Sequence, residues 1–304
     1  MLSPHTAKKL ILSMVCLIGP VEAGEIWYAQ PALDGENVLP LLGQDYGATG
    51  TGCVEKETYD FFARETTSSD SESGTGIDLL SGRKFLPDIA ASLVIEHLNQ
   101  EGPAENYRRS LDLGQGVVTT TYRIGRTGFI RRSFYSKDVG LFVIHMRTDM
   151  PGALSFRVKL RGGKLLPPRS LMKSDAEHAV RVWVHSMESE VDAGADSLAV
   201  HGEGEALVFV ALSDAGKSAH LETRLDRYGF SDGAIPDLAA VLIKLEREHL
   251  AAHRKAMGKV RDSSSDQVSF AKVLARSKEG HADDAWLIQE FQRYLSSWQG
   301  PHDP

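Results

Sequence analysis

Val117-Val118-Thr119-Thr120-Thr121-Tyr122-Arg123-Ile124 is an unbroken run of β-branched and aromatic residues. Gly125 and Gly128 punctuate it before a second run, Phe129-Ile130-Arg131-Arg132-Ser133-Phe134-Tyr135. Such side chains fit the pleated, half-buried surface of a strand, and the glycines supply turn geometry between strands. The pattern repeats outward. Leu141 to Arg147 and Leu154 to Leu160 read as further strands. Ala179 to His185 alternates, with Val180, Val182 and Val184 on one face, and Ala206 to Leu212 is almost continuously apolar. Short strands at regular spacing, separated by Gly, Asp and Pro turns, predict an antiparallel β-sandwich from Tyr107 to about Leu212.

On either side the period changes. Phe85 to Gln100 predicts one amphipathic helix, with Ile89, Leu93 and His97 on a face shared with Leu86 and Ala90. From Pro236 the helical period returns. Leu238, Val241, Leu242, Leu245, His249, Ala252 and Ala256 form one stripe, and Asp237 is placed to cap it. Ser263-Ser264-Ser265 breaks the pattern. A second helix is predicted from about Asp283 to Trp298, with Trp286, Phe291, Tyr294, Leu295 and Trp298 on its apolar side. Only Gly300 to Pro304 follow, so this apolar helix is expected to have nothing after it to pack on. The fold class is therefore mainly β with C-terminal α.

The chain has 304 residues and a formal charge of −7, so it carries no global attraction for a polyanion. Nucleic acid is excluded as a general partner. Lys8 and Lys9, the short apolar run Leu10 to Ile18 and the small-residue pattern Val21-Glu22-Ala23 predict an export signal over residues 1–23, with a periplasmic or extracellular destination. The apolar run is too short for a spanning helix, which needs roughly 20 such residues, so no membrane partner is expected after cleavage. Residues 24–235 are assigned to the sandwich and 236–304 to a helical linker with a first barrel-like helix. Ser68 to Gly76 is polar and of low complexity and reads as a loop. Cleavage would remove Cys16 and leave Cys53 alone, unable to form an intrachain disulfide.

The chemical motifs point to no metal and no cofactor. His249 and His253 stand four apart on a predicted helix, as two zinc ligands can, but Leu250 follows His249 and no third ligand is obvious; the pair reads as one packed and one solvated histidine. Gly43-Gln44-Asp45-Tyr46-Gly47 and Gly50-Thr51-Gly52 are glycine-rich without a surrounding strand–loop–helix unit, so they read as tight loops rather than a phosphate cradle. Arg108, Arg109, Arg123, Arg126, Arg131 and Arg132 fall within one stretch. Strand alternation predicts that they share a solvated face; the other reading is a binding face for an acidic or sugar ligand. No Gly-x-Ser-x-Gly elbow occurs.

Four stretches together resemble the N-terminal half of glycoside hydrolase family 95, the inverting α-L-fucosidase type. They are Ile26 to Ala32 with Leu39-Pro40-Leu41 and Gly52 to Glu57; Tyr107 to Leu113 with Val117 to Tyr122 and Arg131 to Ser136; Pro151 to Phe156; and His249 to Met257 followed by Phe291 to Ser297. The resemblance implies an N-terminal β-sandwich domain, a helical linker and the start of an (α/α)6 barrel. In that family the catalytic residues lie beyond the stretch similar to Phe291 to Ser297. No position here matches the family's catalytic motifs, so no catalytic residue is assigned. Gly43 to Ala48 departs from the family's Gly-Asn-Gly-Arg-Leu-Gly, and the family's Leu-Asn-Glu-x-x-x-Trp has no counterpart near Thr58 to Thr67. The resemblance thus implies an exported, truncated relative without its own catalytic barrel and with no turnover alone. Two other expectations stand beside it. One is a non-catalytic carbohydrate-binding module whose exposed Tyr122, Phe129 or Tyr135 would stack on sugars. The other is docking on a separately encoded barrel through Trp286, Phe291, Tyr294 and Trp298.

Overall fold

A computed structural model describes residues 24–32, 37–63, 89–167, 169–187, 190–221, 223–230, 236–258, 270, 272–273 and 285–299. The predicted export signal, the Ser68–Gly76 loop and the Ser263–Ser265 break lie outside the described residues.

Sixteen strands form two antiparallel sheets among the described residues. They are β1 (Glu25–Tyr28), β2 (Leu39–Leu42), β3 (Tyr46–Gly50), β4 (Lys56–Ala63), β5 (Ile89–His97), β6 (Ala104–Asp112), β7 (Val117–Ile124), β8 (Thr127–Ser136), β9 (Leu141–Thr148), β10 (Leu154–Leu160), β11 (Lys164–Leu166), β12 (Ser170–Ser174), β13 (His178–Ser186), β14 (Asp192–Ala193), β15 (Ser197–Glu203) and β16 (Glu205–Asp214). One sheet runs β1-β6-β7-β8-β9-β16-β13-β12-β11 and the other β14-β15-β10-β5-β4-β3-β2. The run at Val117–Ile124 becomes β7, hairpin-paired to β8 with Ile124 opposite Thr127. The predicted antiparallel sandwich is the fold observed.

The sheets close on one core. Phe61 of β4 meets Phe142 of β9 edge-on at 5.2 Å, and Val158, Leu160, Val182 and Val210 fill the space beside them. The nine-stranded sheet is covered on its outer face as well. There Val117, Phe134, Val143, Leu207 and Phe209 pack against α1 (Leu238–Met257) through Leu238, Val241, Leu242 and Leu245. Burial on both faces is why β9 and β16 are almost uninterrupted in apolar sequence rather than alternating.

α1 begins where the sequence predicted. The Asp237 side chain accepts from the Ala239 and Ala240 backbone N–H groups, and Gly258, at φ +66°, ends the helix with its N–H on the Arg254 carbonyl. Two readings are corrected. Ile89–His97 is a strand, not a helix: β5 lies between β4 and β10. Its residues Ala90, Ala91, Leu93, Val94 and Ile95 are all buried, so apolar residues occur at helical spacing merely because they occur at nearly every position. The last helix, α2 (Ala285–Gln299), does have a partner in the chain. Leu287, Phe291, Tyr294 and Leu295 are buried against the sandwich. Phe291 meets Phe270 edge-on at 5.4 Å, and Phe270 meets Tyr28 at 6.3 Å. The Tyr294 hydroxyl donates to the Pro40 carbonyl of β2 at 3.1 Å. Phe291 and Tyr294 are therefore not available as the exposed docking surface expected of them.

Candidate functional site

Three connections meet at one end of the sandwich, where the sheets part. The β2–β3 turn brings Gln44, Asp45 and Tyr46. The end of β8 and its turn into β9 bring Tyr135, Lys137, Val139 and Gly140. The segment after a 3-10 turn (Ala215–Leu221) brings Arg224. With Phe142 and Leu212 beneath, they enclose a polar cavity of about 210 Å³. Loops carried on strand ends are the usual place for binding groups, because the sheet beneath fixes them.

Two glycines let the walls close. A Cβ on Gly43 would run into the Tyr46 carbonyl and the Tyr135 ring. One on Gly140, at φ +65°, would come within 2.6 Å of Arg224 Nη1. Arg224 donates from Nη1 to the Gly140 carbonyl. Burial lowers its guanidinium pKa, against the pull of Tyr135, Asp45 and Tyr46. Tyr46 is buried, and its hydroxyl lies 3.3 Å from both Asp214 Oδ1 and His178 Nδ1. Burial and the Asp214 carboxylate keep that phenol protonated. The Tyr135 ring is braced by Phe142 at 4.8 Å. The cavity thus offers donors on Lys137 and Arg224, an acceptor on Asp45, and two tyrosine walls. It can hold a small polar molecule. Among the described residues its lining holds a single carboxylate, whereas glycoside hydrolysis takes two, about 5–9.5 Å apart.

The arginine stretch is divided rather than one solvated face: Arg126 is exposed and Arg108, Arg123 and Arg132 are partly so, but two are buried. Arg109 and Arg131 are 1% and 3% exposed and point into the sandwich. Arg131 Nη2 pairs with Glu57 Oε2 at 2.5 Å, and Nη2 also lies 3.2 Å from the Cys53 carbonyl. Glu57 Oε1 accepts the Gly52 backbone N–H at 2.9 Å. Burial lifts the Glu57 carboxyl above its usual range, with Arg131 and the Gly52 N–H opposing. Burial alone would lower Arg131, but the Glu57 carboxylate together with Tyr59, Tyr122 and Tyr107 outweighs it and keeps the guanidinium charged. Arg109 donates to the Asn37 carbonyl at 2.8 Å. Gly52, at φ +74°, leaves no room for a Cβ because the Arg109 side chain and the Tyr107 hydroxyl lie on it. This cluster ties the β3–β4 turn to β6 and β8. Arg108 and Arg132 pair instead at the surface of the sheet, with Glu25 and with Glu246 of α1. Arg123 and Asp149 form an exposed pair.

His249 and His253 lie along the seam between α1 and the nine-stranded sheet, both facing it. His249 Nδ1 is 2.8 Å from the Tyr135 carbonyl and Nε2 is 2.7 Å from the Gln115 carbonyl. His253 Nε2 is 2.9 Å from the Leu113 carbonyl, so this ring is not solvated as expected. Burial, with His253 beside it, pushes the His249 pKa down to about 4. Both histidines hold backbone. Among the described residues no group of three or more His, Cys, Asp or Glu side chains is gathered to hold one. Cys53 is a free, half-buried thiol.

Of the three aromatic residues expected to stack on sugars, Tyr122 and Phe129 are 3% and 6% exposed and stack on each other at 5.1 Å. They are spent inside the fold. Tyr135 lines the cavity. Nothing in the sequence marked Arg224 or Lys137. Gln44 to Tyr46 had been noticed only as part of a glycine-rich loop, and that loop does form a wall.

Two antiparallel sheets face to face, buttressed by helices and opening into a polar cavity at one end, define a large β-sandwich domain with a candidate small-molecule site. The profile described as glycosyl hydrolase family 65, N-terminal domain, matches residues 62–218, and the chain belongs to that family. It is thus a glycoside-hydrolase-related N-terminal domain. Among solved structures it is similar to a candidate kojibiose phosphorylase from human microbiome, at 10% identity and TM-score 0.35, over 71% of this chain and 35% of that one. It is also similar to the family GH92 α-mannosidase from Bacteroides thetaiotaomicron, at 8% identity and TM-score 0.28, over 76% of this chain and 37% of that one. The chain spans about a third of the length of those proteins. None of the curated proteins matches it. No helix among the described residues is long and apolar enough to cross a membrane.

Proposed function

We propose that this chain is exported and serves as the N-terminal sandwich of an α-L-fucosidase-type glycoside hydrolase acting on fucosylated glycans. In that role it engages the glycan and leaves bond cleavage to carboxyl groups outside it. The observation that carries the reading is the family match across residues 62–218, joined to the order of the four stretches similar to family 95. Those stretches supply β1, β2 and the first residues of β4, most of the β6–β8 meander, the start of β10, the end of α1 and part of α2. The cavity's single carboxylate fits a domain that binds without cleaving.

The test uses the purified chain, residues 24–304, with a chromogenic aryl α-L-fucoside and a fucosylated oligosaccharide. Binding of the oligosaccharide without fucose release is expected. Release by this chain alone would place both catalytic carboxyl groups within it and overturn the division of labour. Failure to bind any fucosylated glycan would remove the glycan reading. A second reading, a carbohydrate-binding module that docks on a separately encoded catalytic barrel, is favoured by the self-contained cavity. Any such docking has to use surfaces other than the buried Phe291 and Tyr294.

A further inference from the structure

We propose that the cavity formed by Asp45, Tyr46, Tyr135, Lys137 and Arg224 binds a carboxylate-bearing sugar, a uronic acid unit of a glycan. The inference rests on the carbohydrate reading above and adds to it the charge of the sugar and the residues that read it.

The charges in the cavity do not cancel. Arg224 is half-buried, and one N–H of its Nη1 is committed to the Gly140 carbonyl. Gly140 packs so closely on that nitrogen that the guanidinium is fixed in place. Among the described residues neither Arg224 nor Lys137 forms an ion pair with a carboxylate. Asp45 acts on Arg224 through space but is one carboxylate against two cations, and a carboxylate delivered by a ligand meets the remaining positive charge with charge-assisted hydrogen bonds. The planar fork of a guanidinium matches the two oxygens of a carboxylate better than it matches a single hydroxyl.

The rest of the cavity selects a sugar over a bare anion. Its volume of about 210 Å³ is far more than acetate or phosphate fills, and it admits one pyranose ring. Tyr135, braced by Phe142 at 4.8 Å, and Tyr46 form its walls. Asp45 accepts hydrogen bonds from hydroxyl groups, and its negative charge disfavours a doubly charged phosphate beside it.

The test is an NMR titration of the purified chain with D-glucuronic acid, its methyl ester, L-fucose, acetate and inorganic phosphate. Glucuronate is expected to bind with shifts at Tyr46 and Tyr135. The ester, fucose, acetate and phosphate should each bind at least about tenfold more weakly. Arg224→Gln should weaken glucuronate at least about tenfold, the loss expected for removing one charge-assisted contact. Because Arg224 also holds Gly140, Lys137→Gln serves as the second variant; Lys137 is exposed and bears no structural bond. It should weaken glucuronate severalfold with an unchanged unfolding midpoint. Equal binding of the ester or of fucose would overturn the role of the carboxylate while leaving the glycan reading intact. Equal binding of acetate or phosphate would make the cavity a plain anion site and overturn the sugar. No binding of any of the five overturns the proposal. In that case the fucosylated oligosaccharide decides separately whether the glycan reading survives.

Discussion

Arg131 and Glu57 come together from strands 74 positions apart, and each has lost nearly all contact with water. Replacing such a pair with apolar groups is often neutral, but removing one member strands the other charge in the core, at a cost of about 3–5 kcal/mol. Glu57→Gln is therefore expected to lower stability to urea by about that amount, while Glu57→Leu with Arg131→Met recovers most of the loss. His97 is coupled to the same cluster. Arg131 Nη1 lies 3.5 Å from its Nε2 and can donate only to an unprotonated nitrogen. Burial first, and the Arg131 charge second, press its pKa down to about 3. Its folded pKa thus lies below the unfolded value of about 6.5. The unfolded chain takes up the proton first, so the stability His97 confers is full above pH 6.5 and is lost as pH falls toward 3. His185 and His249, each pressed to about 4 by burial, act in the same direction. Between pH 7 and pH 5.5 each such histidine is expected to remove about 1 kcal/mol. His97→Gln should flatten that part of the profile, and an unchanged slope would show that His97 ionises freely in the fold. The residue types were visible in the sequence, but their direction was not. Alternation says which arginines share a face, and only the partner, Glu57, says that the face of Arg131 is the inner one.

At the scale of elements, the local ones were the legible ones. β6 to β9 follow one another through short turns and pair in that same order, so each hairpin joins strands that are neighbours in sequence. α1 carried its own cap at Asp237 and its own stop at Gly258. β5 was misread because its character comes from β4 and β10 on either side, one of them more than fifty residues later in the chain. The cavity was unreadable for the same reason, since its walls come from positions near 45, 137 and 224. The seam of α1 offers a test at this scale. His249 sits between two backbone carbonyls, those of Gln115 in the β6–β7 turn and Tyr135 in β8, and its neutral ring donates its one N–H to one of them. His249→Ala takes the N–H donor from one buried carbonyl and removes the ring tilted against Phe134 at 4.8 Å. A loss of about 2–4 kcal/mol is expected, with earlier hydrogen exchange along α1 than in the strands beneath it. Uniform loss of protection across the whole fold would mean that α1 and the sheet unfold as one unit.

Over the whole molecule, the sandwich and its two helices are one packed body, because α2 contributes to the same core as both sheets. The sequence showed how apolar α2 is but not where that apolar side goes; the Pro40 carbonyl that Tyr294 reaches lies some 250 residues earlier. Phe291 is 2% exposed, and Phe291→Ala should cost about 3–5 kcal/mol. The measurement is the urea midpoint, and a change below about 1 kcal/mol would mean that α2 is not held on the sandwich in solution.

The bond from Tyr294 to Pro40 has a consequence for the free margin of the seven-stranded sheet. β2 is its last strand, and a last strand presents unpaired amide groups to which another chain could add. Pro40 has no N–H to offer, and its carbonyl is already taken by Tyr294 of α2. The helix that brings apolar residues to the core therefore also guards this border against self-association, and losing it would expose an adhesive strand as well as a greasy surface.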